Sequence, residues 1–288
     1  SSSWEAEKKI NNMWSIEQQP FMQKDVKKKM TSFQTEVVEP EFRDAISKGI
    51  VEEIYWVGGE PLMYEQHWRY MKRIIELGDG PGLYARYNTN LSRIKYKGIC
   101  LHKDILPNIR DWQICASLDG TGAIGEYIRT GLKYDEFVEN FGKILPLAKN
   151  KRQMRLDYTL TLPGMFDIIN MQKLANKLDV EILAKVVFTF SPDIMMSPLA
   201  LPRKILNEMV DKRIAQMPLG PALTDVLTQL KNRPNIEEQW PEEHERGLRK
   251  GKRRILTLES IRPNSICFRD IISTCPDTLA WWDGIDAG

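Results

Sequence analysis

The sequence predicts an α/β fold. Five short runs rich in β-branched and aromatic residues recur over the first two thirds of the chain, and helical stretches alternate with them. The connections are short, and glycines cluster where several apolar runs stop. Alternation of this kind specifies a parallel sheet covered by helices through right-handed crossovers. The spacing fits part of a β/α barrel better than a sandwich.

Element by element, "SSSWEAEKKI" reads as a helix entered at once, with Ser2 as N-cap and Glu5 three residues on in a capping-box pattern. With no strand ahead of it, the chain is expected to open in mid-architecture, its first strand missing. "VEEIYWV" (51–57) is the first strand seen, followed by a helix from Pro61 to Leu77. "GLYARYN" (82–88) leads into a mixed segment ending near Arg110. "WQICASL" (112–118) comes before a glycine-rich loop and the helix "YDEFVENFGKILPLAK" (134–149). "MRLDYTLTL" (154–162) precedes the helix "DIINMQKLANKL" (167–178), and "EILAKVVFTF" (181–190) ends at Ser191-Pro192. Beyond about residue 200 the texture turns helical, at 203–217 and 221–232. The polar run 234–254 reads as a solvated loop or exposed helix. A last short helical pattern carries Trp281 and Trp282, expected to cover the core. The division is therefore a β/α core over 1–202 and a helical C-terminal extension over 203–288.

The 288 residues are 42% hydrophobic and 28% charged, an ordinary globular balance. The net charge of +2 supplies no field that draws nucleic acid or a membrane surface, and no apolar run approaches the roughly 18 residues of a span. Cys100, Cys115, Cys267 and Cys275 form no Cys-x-x-Cys pair, which points to reduced thiols in a cytoplasmic protein. His67, His102 and His244 share no ligand spacing, and His67 is expected on the surface of its helix. No residue is assigned to a metal.

Three loops at strand ends carry the chemistry. The first is Gly58-Gly59-Glu60-Pro61. Proline at a first helical position explains Pro61, and glycine permits positive φ or close approach to a ligand, but a turn alone does not explain the acid. The second is Tyr87 to Asn90, with Asn88 and Asn90. The third is "SLDGTG", with Ser117 and Asp119, followed by "EYIRTG" with Arg129. In a β/α barrel such loops share one rim. An acid, two amides, a hydroxyl, a second acid and a guanidinium complement a zwitterion joined to a sugar. Each piece has a plainer reading: Asn-Thr-Asn and Asp-Gly are turn formers, and Arg129 can pair with Glu126. Glu60 and Asp119 can also be read as the acid and base of an unrelated β/α-barrel hydrolase or isomerase.

"WVGGEPLM", "YNTNLS" and "ICASLDGTGAIGEYIRTGLKYDEF" together resemble the radical S-adenosylmethionine (SAM) enzymes, in particular the twitch-domain-containing radical SAM proteins. "SPDIMMSPLALPRKILNEM" (191–209) and "FRDIISTCPDTLAWW" are similar to later segments of that subgroup, so the resemblance covers most of the chain. It implies a partial (β/α)6 barrel. It implies that Gly58, Gly59 and Glu60 contact the methionine amine of SAM, that Asn90, Ser117 and Asp119 lie near the ribose, and that Arg129 lies near the carboxylate. It also implies a [4Fe–4S] cluster, an electron donor and a small-molecule or peptide substrate attacked by a 5′-deoxyadenosyl radical. The family's Cys-x-x-x-Cys-x-x-Cys loop is absent from this sequence. The expectation is that it precedes residue 1, or that the chain is a non-catalytic SAM or nucleoside module.

Overall fold

The computed structural model describes residues 23–216 and 218–288. The helix expected around Ser2 and Glu5, and residue 217 at the end of the 203–217 helix, lie outside the described residues. The chain runs α1 (Lys24–Phe33), a π-helical turn, α2 (Glu39–Ser47), β1 (Glu53–Trp56), a 3-10 turn at Pro61–Met63, α3 (Glu65–Glu76) and β2 (Tyr84–Thr89). A small hairpin follows, β3 (Lys95–Tyr96) and β4 (Ile99–Cys100), then β5 (Asp111–Ser117), α4 (Gly122–Ile128) and α5 (Tyr134–Ile144). Next come β6 (Met154–Leu160), α6 (Leu162–Leu178) and β7 (Glu181–Val186). The remainder is helical: α7 (Arg203–Gln216), α8 (Pro221–Asn232), α9 (Ile236–Gln239), α10 (His244–Ile261), α11 (Phe268–Ile272) and α12 (Pro276–Gly284).

The fold is α/β. The five expected strands form one parallel sheet in the order β1-β2-β5-β6-β7, sequential once the hairpin is set aside. Ile54 registers with Ala85 across β1–β2, and Leu156 with Ile182 across β6–β7. The chain divides into two compact units. One holds the residues up to Thr89 with Arg93–Ile114; the other holds Asn90–Ser92 with Cys115–Gly288.

In the first unit, the 3-10 turn at Pro61–Met63 ends before α3 starts at Glu65, so one continuous helix from Pro61 does not form. The restart sets the phase of α3. His67, Met71 and Ile74 fall at i, i+4 and i+7 and all turn inward. His67 is thus fully buried rather than on the surface. The rings of Trp56, Trp68 and Tyr87 stand edge-on around it, with centroids 5.0, 4.8 and 5.5 Å away. Its Nε2 lies 3.2 Å from the Tyr87 hydroxyl. Burial drives its pKa down to about 3, so the ring stays neutral.

In the second unit, α6 begins at Leu162 rather than 167. The Thr161 hydroxyl accepts the Gly164 N–H at 3.1 Å, and Pro163 suits the first turn. Strand β7 stops at Val186, short of the apolar run's end, and leaves Phe188 and Phe190 exposed. The charged run 234–254 is not simply solvated. Asn235 and Glu238 form a capping box for α9, and α10 buries Gly247, Leu248, Gly251 and Ile255 on one face. A Cβ on Gly251 would stand 2.1 Å from Met195 Cγ, and one on Gly247 2.4 Å from the Pro192 carbonyl oxygen. The two glycines therefore let the segment after β7 lie directly on the helix. Trp282 is buried against Phe268, centroids 4.5 Å apart, while Trp281 is half-buried. Among the described residues no helix is long and apolar enough to cross a membrane.

Candidate functional site

Each proposed site residue lies at or just beyond the carboxyl end of β1, β2 or β5, apart from Arg129, which caps the C-terminus of α4. In the first unit, Gly58 and Gly59 follow β1 with φ of +84° and +48°, conformations that L side chains rarely adopt. Glu60 follows in extended backbone. Its Oε1 accepts the Leu62 N–H at 3.2 Å and the Thr89 hydroxyl at 2.5 Å. The acid thus caps the 3-10 turn and ties the end of β1 to the end of β2. Pro61 is buried in the first position of that turn. Strand alternation places Asn88 on the face of β2 opposite Thr89, with half exposure. Glu60 and Asn88 therefore serve different faces of the strand.

In the second unit, Asn90 accepts the Ser92 N–H at 2.9 Å, an Asx turn, and Leu91 takes φ of +50°. Ser117 is the half-buried last residue of β5. Asp119 is 6% exposed. Its Oδ1 accepts the Thr159 N–H at 2.8 Å, and its Oδ2 lies 2.7 Å from Arg129 Nε. The Nε contact is an ion pair outside hydrogen-bond geometry. Arg129 therefore pairs with Asp119. Glu126, its nearer neighbour in sequence, instead accepts the Tyr134 N–H at 2.9 Å. The Arg129 side chain remains 31% exposed, so its outer edge reaches solvent.

Sequence reasoning missed what holds this second loop. Asp167 on α6 is buried. It accepts the backbone N–H of Thr121, the Thr121 hydroxyl at 3.1 Å and the Asn170 amide at 2.8 Å. Burial raises its pKa, and those three donors work in the opposite direction. Tyr158 points inward and donates to the Gly164 carbonyl at 2.9 Å; burial, with Asp167 and Asp119 nearby, holds its phenol in the neutral form. No local pattern around Asp167 marks it as the anchor of a loop 46 residues earlier. Thr89 was missed as well, although it stands between the two asparagines of the second loop.

The thiols do not fit an iron–sulfur cluster. Cys115 is buried in β5, Cys100 ends β4, and Cys267 and Cys275 precede α11 and α12. Among the described residues no three His, Cys, Asp or Glu side chains come together as a metal site, and a [4Fe–4S] cluster takes four thiolate positions. No family model matches this chain, and no curated protein matches it.

Proposed function

We propose that this chain binds S-adenosylmethionine, or a nucleoside sharing its adenosyl group; the first unit offers it the Gly58-Gly59-Glu60 turn and the second offers Asn90, Ser117, Asp119 and Arg129. The observation that supports the reading most is the turn Gly58-Gly59-Glu60: two left-handed glycines bare the backbone beside a fixed carboxylate at the end of a parallel strand. Such strand ends are where open α/β sheets take ligands. In this reading the Glu60 carboxylate and the turn carbonyls receive the methionine ammonium. Arg129, oriented by Asp119, offers its exposed edge to the carboxylate. Asn90, Ser117 and the remaining lone pairs of Asp119 are candidates for the ribose hydroxyls, and Asn88, on the other face of β2, is not. The finer fold that goes with it is a partial (β/α)6 barrel of the radical SAM type, and the compartment is the cytoplasm. Bound SAM would supply a sulfonium nucleoside, and its reductive cleavage to a 5′-deoxyadenosyl radical would take a [4Fe–4S] cluster held by thiolates other than these four. The hydrolase or isomerase reading has less support, since Glu60 and Asp119 are both committed to protein donors.

Calorimetry with SAM, S-adenosylhomocysteine and adenosine tests this. A hydrogen bond to a charged group is worth about 1.5–3 kcal/mol, so Glu60→Gln and Arg129→Gln should each weaken SAM binding by roughly ten- to a hundredfold. Adenosine, lacking the zwitterion, should be indifferent to both. Equal SAM affinity in the doubly substituted protein, or no binding by the unaltered one, defeats the reading.

A further inference from the structure

The first unit contains a cleft that the nucleoside reading does not use. It lies between α2 and α3. Arg69, Lys72, Arg73 and Glu76 follow one another at helical spacing along α3, and Arg43 and Ser47 come to the same cleft from α2. The buried side chains of Ile46 and Tyr70 give it an apolar floor. Its volume is about 380 Å³, inside the range of roughly 300–1,000 Å³ that small-molecule sites occupy.

Four cations, Arg43, Arg69, Lys72 and Arg73, line this cleft beside a single carboxylate, Glu76. Their commitments differ. Arg69 is spent: it donates to the Tyr70 hydroxyl at 2.9 Å and to Glu39 Oε2 at 3.2 Å, with its guanidinium carbon 4.7 Å from the centre of the Tyr70 ring. Lys72 meets Glu76 at 3.5 Å, and both side chains are at least half exposed, a placement in which water and salt leave an ion pair weak. Arg43 uses only its Nε, on the Glu39 carbonyl at 3.4 Å. Arg73, exposed in the last turn of α3, has no hydrogen-bond or ion-pair partner among the described residues. The dipole of α3 accounts for one cation near its C-terminus, but not for a second beside it and a third on the neighbouring helix. With Glu39 set against Arg69 and Glu76 against Lys72, the charges of Arg43 and Arg73 stay unbalanced. Cations gathered over a floor of low dielectric concentrate their field on what enters. A guanidinium fork matches phosphate oxygens, and a tetrahedral group can accept from two helices at once where a planar carboxylate accepts in one plane.

We propose that this cleft binds a small molecule carrying a phosphate or pyrophosphate group, its oxygens held by Arg43 from α2 and by Lys72 and Arg73 from α3. The inference stands apart from the nucleoside reading, and its test uses no SAM. The probes are inorganic pyrophosphate and inorganic phosphate, with malonate as a carboxylate control; at about pH 8 phosphate and malonate are both largely dianions. Binding to the full chain is followed by calorimetry and by the 15N signals of the arginine Nε groups, assigned through Arg43→Gln and Arg73→Gln. The expected result is saturable binding of pyrophosphate with Kd on the order of 0.1–1 mM and movement of the Arg43 and Arg73 signals. Phosphate should bind more weakly than pyrophosphate, and malonate at least about threefold more weakly than phosphate. Arg43→Gln and Arg73→Gln should each cost about tenfold in pyrophosphate affinity with an unchanged melting temperature. Lys204→Gln, which removes an exposed cation of the second unit, should change nothing. The proposal is overturned if pyrophosphate does not saturate, if the two arginine signals stay still, if malonate binds as well as phosphate, if Lys204→Gln costs as much as Arg73→Gln, or if the doubly substituted, folded protein keeps its affinity. Should the arginine variants unfold, the comparison of phosphate with malonate on the unaltered chain still decides it.

Discussion

Two strand-to-helix connections, one in each unit, do similar jobs by different means. The turn after β1 is organised by neighbours: two left-handed glycines, a capping glutamate and the Thr89 hydroxyl one strand away. The loop after β5 is organised from a distance. Its Asp119 is held by the Thr159 backbone 40 residues on, and its Thr121 by Asp167 46 residues on. A turn held by backbone preference tolerates loss of one contact. A loop held by a buried carboxylate does not, because removing that group strands the donors aimed at it.

The largest effect should therefore fall on Asp167. Asp167→Ala removes a buried acceptor from three donors and should cost about 3 kcal/mol in chemical denaturation. Asp167→Asn should cost much less, since burial already disfavours the charge. If Asp167→Ala costs less than Glu60→Ala, the contrast between the loops is wrong.

The two regions should also answer acid with opposite sign. His67 has a folded pKa of about 3 against 6.5 for the free group, so the unfolded chain takes its proton first. Stability from this group is whole above about pH 6.5 and is lost as the pH falls, by about 2 kcal/mol between roughly pH 6 and 4.5. Asp167 is raised above 3.8, so the folded protein is protonated first and gains stability as the pH falls through the folded value. Denaturation at the two pH values, compared with a His67→Phe/Tyr87→Phe variant that leaves no orphaned hydroxyl, should recover the 2 kcal/mol; Asp167→Asn should lose the gain that Asp167 makes as the pH falls through its folded value. Equal pH dependence in all three proteins would remove both assignments.

Glu60→Ala should cost about 1–2 kcal/mol, the loss of one cap and one hydroxyl acceptor. The smallest effects belong to the glycines. Gly58→Ala meets no atom within 4 Å and should cost only the strain of positive φ, about 1 kcal/mol. Gly59→Ala adds a contact of 2.5 Å with the Tyr64 hydroxyl. Tyr64 is exposed and free to swing away, so the excess should be a few tenths and should vanish in a Tyr64→Phe background. A cost above about 3 kcal/mol at Gly59 would mean the turn is more rigidly built than its neighbours indicate.

The sequence by itself determined the α/β class, the five strands and their parallel, sequential order, because alternating apolar runs and short crossovers leave few other arrangements. It also determined the Gly58-Gly59 turn, whose conformation is a property of the residues in it. Tertiary structure decided the rest. Arg129 chose Asp119 over Glu126, and Asp167 became a loop anchor, through partners that only folding brings near. His67 went inside because a 3-10 turn reset the phase of α3. The charged run 234–254 gained a buried face because two glycines let a distant segment settle on it. Local preference acts over a few residues and is written in them; burial and pairing depend on which distant surfaces meet, and a buried charge takes its partner from whatever the fold delivers.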